Sequence, residues 1–420
     1  MDDLAELSRP GLSDRERRRA ESLLGAALLV ALSAVAPLSV DMFLPSMPTM
    51  AIEFGASTAT MQLGVTLFII SFAGSQLVYG PASDRFGRRP VLLAGLTLFV
   101  LGGLVALTAP SVEALIAGRV VQGLGGGAGP ALAQAIVLDV YGRDRAARVL
   151  SHMAIALPLA PAIAPIVGGV LHDTLGWHSV FVVLTLTGVV LATTYRASFP
   201  ETNVLRGASG RGFGGLLANY RTVLSSRTYV AYALVMGLMF GGQLVFISSS
   251  SFVLIDEFGL GAGVFGLSFG FVALGIMAGA TLSSRLIGRM RLDRIVLLGA
   301  VVACGASAVM ATLSLAGVAN VATILLPMFV TAIGFGVARP SATAGALIPF
   351  PRIAGLASAV LGFTQMLVAS SFNIAYGALI TVSSRSLALG VFMSVSVGLV
   401  VLLALRPRAE VVQGRETARA

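Results

Sequence analysis

The chain has no lysine: all 28 of its basic residues are arginine. That removes the phosphate-binding loop, which needs Gly-Lys-Ser/Thr, and with it the direct handling of ATP. It also removes lysine-based covalent chemistry. Cysteine is nearly absent. Cys304 stands alone, in an apolar run, so neither an intramolecular disulfide nor a cysteine-cluster metal site can form. The three histidines, His152, His172 and His178, fall at helix ends or in a loop and have no metal-ligand spacing. No metal and no cofactor are expected. Charge of either sign is scarce, at 11% of residues against 56% hydrophobic, with mean hydropathy +0.91. A soluble domain of 420 residues needs more polar surface than this to cover itself. The surrounding solvent must be mostly lipid.

What is present is apolar helix. Long Leu, Val, Ala and Gly runs separated by short charged loops indicate a helical bundle and not a membrane barrel. Twelve spans are predicted, at 22–46, 59–81, 91–109, 111–138, 148–171, 177–198, 229–253, 262–284, 294–316, 320–346, 354–379 and 386–406. The expected organisation is an N-terminal tail 1–21, a six-helix bundle 22–198, a central loop 199–228, a second six-helix bundle 229–406 and a C-terminal tail 407–420. Arginine concentrates in both tails, the central loop and alternate short loops, such as Arg85, Arg88 and Arg89 between spans 2 and 3. The other loops carry Glu53, Glu113, Asp173, Asp256 and Glu257, with Arg385 the one basic exception. By the positive-inside rule both tails are cytoplasmic. The net charge of +9 is then a topology signature with room for anionic-lipid contact, and not a nucleic-acid footprint. Trp177 opens span 6 and reads as an interfacial anchor.

The two halves are faintly repeated. "SDRFGRR" (83–89) has an echo in "SSRLIGRMR" (283–291), and "GGGAGPALAQA" (125–135) in "FGVARPSATAG" (335–345). The shared offset, about 200 to 210 residues, fits a duplicated six-span unit.

Three motifs stand out. "GPASDRFGRRP" (80–90) joins spans 2 and 3; read plainly, it is a tight, arginine-rich cytoplasmic turn. "RVVQGLGGGAGP" (119–130) lies on span 4. Its glycines suit close helix packing, but Arg119 sits about 12 Å inside the outer end of the span, too deep for a loop charge. "LPLAPAIAPIVGGVL" (157–171) puts three prolines in span 5, which must bend it. A fourth feature is Asp41 in "DMFLPSMP" (41–48), about 6–10 Å inside the expected outer end of span 1. A carboxylate at that depth costs several kcal/mol, about 2.5–3.5 on insertion scales. The plain reading of Asp41 is a helix-ending carboxylate near the interface.

The loop 2–3 segment resembles the signature of the major facilitator superfamily, through Gly80, Asp84, Arg85, Gly87, Arg88 and Arg89. The resemblance implies a conformational latch, in which Asp84 meets the N-terminal end of span 11 and Arg88 reaches Asp139. The Arg-x-x-Gln-Gly pattern at Arg119 is similar to the span-4 motif of proton-driven drug exporters, where the arginine is tied to proton coupling. Pro161, Pro165, Gly168 and Gly169 resemble the antiporter signature of the export subfamilies, although Ala164 stands where Gly is usual. "DMFLPSMP" and "FISSSSFVLI" (246–255) resemble the bicyclomycin- and chloramphenicol-resistance drug:proton antiporters. The resemblance implies an all-α membrane protein of two pseudo-symmetric six-helix bundles around a central cavity.

On this reading Asp41 is the proton-coupling acid and Arg119 its partner of opposite charge. Burial and a nearby guanidinium act in opposite directions on a carboxyl's hold on its proton. Met42, Phe43, Gln122, Phe240, Phe246, Phe363, Gln365 and Asn373 are candidates to contact drug, and helix packing explains each of them singly as well. The expected activity is proton-coupled efflux of small, largely apolar drugs across a bacterial inner membrane, by a functional monomer driven by the proton gradient. An exporter of an endogenous metabolite is the alternative. A channel or membrane-embedded enzyme is a different class, and no convergent nucleophile or metal set supports the latter.

Overall fold

In the computed structural model, residues 20–157, 159–203 and 213–407 are described. The helices are α1 (Leu23–Asp41), α2 (Met47–Glu53), α3 (Thr58–Phe86), α4 (Arg88–Leu107), α5 (Val112–Gly126), α6 (Ala128–Ala156), α7 (Leu159–Leu175) and α8 (His178–Ser198). Then follow α9 (Phe213–Leu224), α10 (Arg227–Ser251), α11 (Ala262–Leu286), α12 (Leu292–Leu315), α13 (Val321–Leu347), α14 (Ala354–Leu379) and α15 (Ser384–Leu405). Short 3₁₀ turns at Leu44–Ser46 and Pro351–Ile353 and a π-helical turn at Phe252–Glu257 complete the chain. The described residues before the central break, with Gly261–Leu267, form one compact unit, and the rest form a second.

Local chemistry explains the helix ends. Ser22, Ser57, Ser111, Ser226, Ser383 and Asn320 each cap an N-terminus by accepting a backbone N–H, which satisfies a donor that the helix leaves open. Gly87 has φ 104°, so α3 turns straight into α4 through a conformation that other residues rarely adopt.

The sequence expectation for the first span changes. The apolar rod does not end near Pro45 or Pro48. Each proline sits in the first turn of a new short helix, where its missing N–H costs nothing, so the apolar rod continues over Leu24–Glu53. Asp41 is therefore about 18 Å from the end of that rod, at about 1.5 Å per residue, not 6–10 Å. Among the described residues, ten helices are long and apolar enough to cross a membrane. Predicted spans 4 and 5 are carried by α5, α6 and α7 over Val112–Leu175: Gly127 keeps right-handed helical angles between α5 and α6 (φ −67°, ψ −18°), and left-handed Gly142 (φ 67°) turns the chain inside α6. The central break is also not all loop, since α9 lies within it.

In the first unit, glycines bring backbones together. A methyl group on Gly102 of α4 would lie 2.3 Å from Gln122 N, and one on Gly125 of α5 would lie 2.2 Å from Phe99 N. Gly123, Gly127 and Gly129 meet the Phe68, Phe72 and Leu32 carbonyls at 2.5, 2.8 and 1.9 Å by the same measure. The glycine run thus seats one rod against three neighbours. Leu29, Leu32, Leu96, Phe99, Leu132, Ile136 and Tyr195 fill the core beside it. In the second unit Gly299 and Gly334 face each other in the same way across α12 and α13. Outward faces, such as Leu98, Leu101 and Val105 on α4 or Val400 and Leu403 on α15, stay exposed and apolar, as lipid requires.

Candidate functional site

Arg119 is completely buried. It projects from α5 into the first unit, where its Nη1 donates to Ser39 Oγ (2.8 Å) and Gln122 Oε1 (2.6 Å) and its Nε to the Gly64 carbonyl (3.4 Å). Its guanidinium carbon lies 4.7 Å from the centre of the Phe43 ring and 4.2 Å from that of Phe68. Cation–π contact is worth about 2 kcal/mol or more when desolvated, and hydrogen bonds satisfy part of the charge. Neither supplies a counter-charge, and a buried cation without one costs several kcal/mol.

Asp41 is also buried, at 6% exposure. Among the described residues no hydrogen bond or ion pair reaches its carboxylate. The expected Asp41–Arg119 pair is not made in this structure. Arg119 instead takes Ser39, two residues earlier on α1, and side chains two apart on a helix point about 200° apart. The antiporter-signature residues lie close by. Gly168 packs on the backbone of Met42, where a methyl group would meet Met42 O at 2.3 Å and its Cα at 2.8 Å. Met42 clusters with Ala164, Val180 and Leu184. Gly169 packs equally tightly on Ala262 O, at 2.3 Å by the same measure. Pro165 is buried within α7 and Pro161 is half-buried in its first turn. Pro158, the first of the three prolines, lies outside the described residues.

The loop 2–3 residues form a second cluster. Arg88 binds Asp139 through Nε at 3.1 Å and Asp84 through Nη1 at 2.5 Å, and Ser83 Oγ at 2.6 Å. Three partners in this cluster carry no signal in the motif. Glu201 accepts the backbone N–H groups of Arg88 (2.8 Å) and Arg89 (3.1 Å), so a carboxylate sits on the positive N-terminal end of α4. Thr202 donates to Asp139 (3.3 Å). Asn203 donates to the Ser83 and Asp84 carbonyls (3.1 and 3.0 Å) at the end of α3. The sequence placed all three in the central loop 199–228, more than a hundred residues from the start of α4, and gave no local signal for the contact. Arg85 stacks on Phe86 at 5.3 Å. Arg89 donates to the Arg196 carbonyl at 2.8 Å. Gly80 has open space around it.

The drug-contact candidates divide by surroundings. Phe43 is taken up by Arg119 and by the edge of Phe181, and Gln122 by Arg119. In the second unit Phe246 is buried against Phe269, and Asn373 accepts from Ser248 at 3.1 Å. Phe240, stacked on Phe335, stays half-exposed, as do Phe363 and Gln365. Trp177 is not a lipid-facing anchor. It is 3% exposed and donates to Glu53 at 2.6 Å, because a buried indole N–H needs an acceptor. No metal-holding group of His, Cys, Asp or Glu occurs among the described residues.

Residues 29–373 match the model of the Major Facilitator Superfamily. The chain is 28% identical over 336 residues to a bicyclomycin resistance protein homolog of Haemophilus influenzae, covering 78% of this chain and 82% of that protein. It is 29% identical over 329 residues to a chloramphenicol resistance protein of Pseudomonas aeruginosa, covering 78% and 77%. The fold is similar to that of a crystallised D-xylose-proton symporter, with TM-score 0.70 at 14% identity over 90% of this chain and 97% of the symporter. With a family match spanning most of its length and this fold, the chain belongs to the Major Facilitator Superfamily.

Proposed function

We propose that the protein exports small, largely apolar drugs of the amphenicol or bicyclomycin kind across a bacterial inner membrane in exchange for protons. Both termini are cytoplasmic in this reading, the monomer is the working unit and no cofactor takes part. One proton crossing 100 mV supplies about 2.3 kcal/mol from the potential alone. The observation that carries the proposal is an acid and a base, Asp41 and Arg119, both buried within apolar helices. Intramembrane ionisable groups are costly and mark proton or substrate routes. Asp41 takes a proton from the outer side and gives it up to the inner side. Arg119 supplies the cation that tunes it, and the Arg88 cluster biases the two conformations. The resistance proteins that this chain resembles support antibiotics as the substrate class. One acid and one base make a pocket near neutral, which favours neutral drugs over dications. A proton-coupled exporter of an endogenous metabolite would use the same parts.

The test is drug-driven proton release in proteoliposomes holding a pH dye. Wild type should release protons on addition of chloramphenicol. Asp41→Asn should insert normally and lose accumulation against a gradient, because the amide cannot change its protonation. Wild-type exchange by Asp41→Asn would move the coupling site elsewhere. Saturable export by the wild type without proton movement would remove the antiporter reading.

A further inference from the structure

The Arg119 network continues to a residue on α8. Gln122 turns its carbonyl oxygen to Arg119 (2.6 Å). That orientation is forced, since a guanidinium only donates. The amide NH₂ must then face the other way. A methyl group on Gly103 of α4 would lie 3.4 Å from Gln122 Nε2 and 2.5 Å from Thr185 Oγ1, so both atoms border the space left by the bare glycine. Gln122 is fully buried and Thr185 is 7% exposed. Both polar atoms are buried without a hydrogen-bond partner among the described residues.

Thr185 differs from two other threonines of its helix, Thr187 and Thr193. Thr187 and Thr193 each donate to the carbonyl four residues back, at 2.8 Å, the usual way for a helical threonine to satisfy itself. Thr185 does not, although it is the most buried of the three. A buried hydroxyl that does not bond its own helix is expensive to leave without a partner.

We propose that Thr185 is a positioning residue for Arg119. Its hydroxyl and the Gln122 NH₂ border the same notch at Gly103 without being bonded in this conformation; when the hydroxyl closes on the Gln122 amide from behind, it keeps the amide oxygen on the guanidinium. The role rests on the proton-coupling reading of Arg119 and Asp41. A link of this kind, one hydroxyl acting on a charge-bearing network, is worth about fivefold to tenfold in turnover.

The experiment measures chloramphenicol-driven proton release against external pH in proteoliposomes of the full chain, at matched protein. Thr185→Val keeps the shape and deletes the hydroxyl. It should lower turnover about fivefold to tenfold and move the pH profile, and Thr185→Ser should restore both. Gly103→Ala, which drives a methyl group into the notch, should reproduce the Thr185→Val profile. In a Gln122→Leu background, Thr185→Val should add nothing. A wild-type profile for Thr185→Val overturns the inference. Equal losses in the Val and Ser variants, or additivity with Gln122→Leu, assign Thr185 to packing and overturn it too. If the wild-type protein itself releases no proton, the coupling reading fails instead, and that outcome is visible before any variant is compared.

Discussion

At the scale of single residues, Glu201 shows how a small polar side chain organises a motif from outside it. Its two oxygens take the first two backbone N–H groups of α4, which would otherwise be left open at the end of the helix. That anchors the Arg88 backbone while the Arg88 side chain holds Asp84 and Asp139. Glu201→Gln removes the charge and one of the two acceptors. We expect it to cost about 1 kcal/mol, the usual worth of an N-terminal cap, seen as a lower thermal-unfolding midpoint in detergent, together with altered turnover. An unchanged midpoint would mean that the carboxylate does not secure the helix. Arg119 presents the opposite case. Its type and depth could be read from "RVVQG", but its aromatic sandwich could not, because Phe43 and Phe68 are far from it in sequence and appear simply as apolar positions.

At the scale of helices, glycine decides which rods touch. Gly168 has the Met42 backbone where its side chain would be, so α7 approaches the chain immediately after Asp41 as closely as helices can. Gly168→Ala must push the two segments apart, since a backbone cannot yield as a side-chain tip can. Overpacking of this kind costs about 1–3 kcal/mol. The variant should show reduced folded yield by fluorescence-detected size exclusion, or lose transport at equal yield. Gly80→Ala is the control, because nothing lies within 4 Å of the added methyl group, and it should elute like wild type. A Gly168→Ala protein that folds and transports normally would show that the contact is dispensable. The proline pair at 45 and 48 teaches a related lesson. A proline looks like a helix end in sequence, but in the first turn of a new helix it lets an apolar rod continue.

At the scale of the whole molecule, the charge asymmetry carries the orientation. Arginine-rich loops alternate with acidic ones along the chain, and arginine near helix ends is held on the cytoplasmic side during insertion. Both termini should therefore resist protease added outside. In intact spheroplasts a C-terminal tag should be cut only after the membrane is opened, and cutting in sealed cells would reject the orientation. The same charges account for the pI of about 10.7.

The membrane class and the helical architecture were legible in the sequence. Each depends on composition or short-range spacing, and lipid makes those signals strong because it leaves the backbone few alternatives to helix. The tertiary structure alone decided how far the first rod runs beyond Asp41, where α5, α6 and α7 divide, and that Glu201, Thr202 and Asn203 close on the loop 2–3 motif. It also decided that Arg119 bonds Ser39 and not Asp41. These outcomes turn on contacts between positions from three to more than a hundred residues apart, and on which way a side chain faces around its helix. Two residues along α1, about 200° around the helix, separate the group that Arg119 bonds from the unpaired Asp41, and only the packing of neighbouring helices sets that angle.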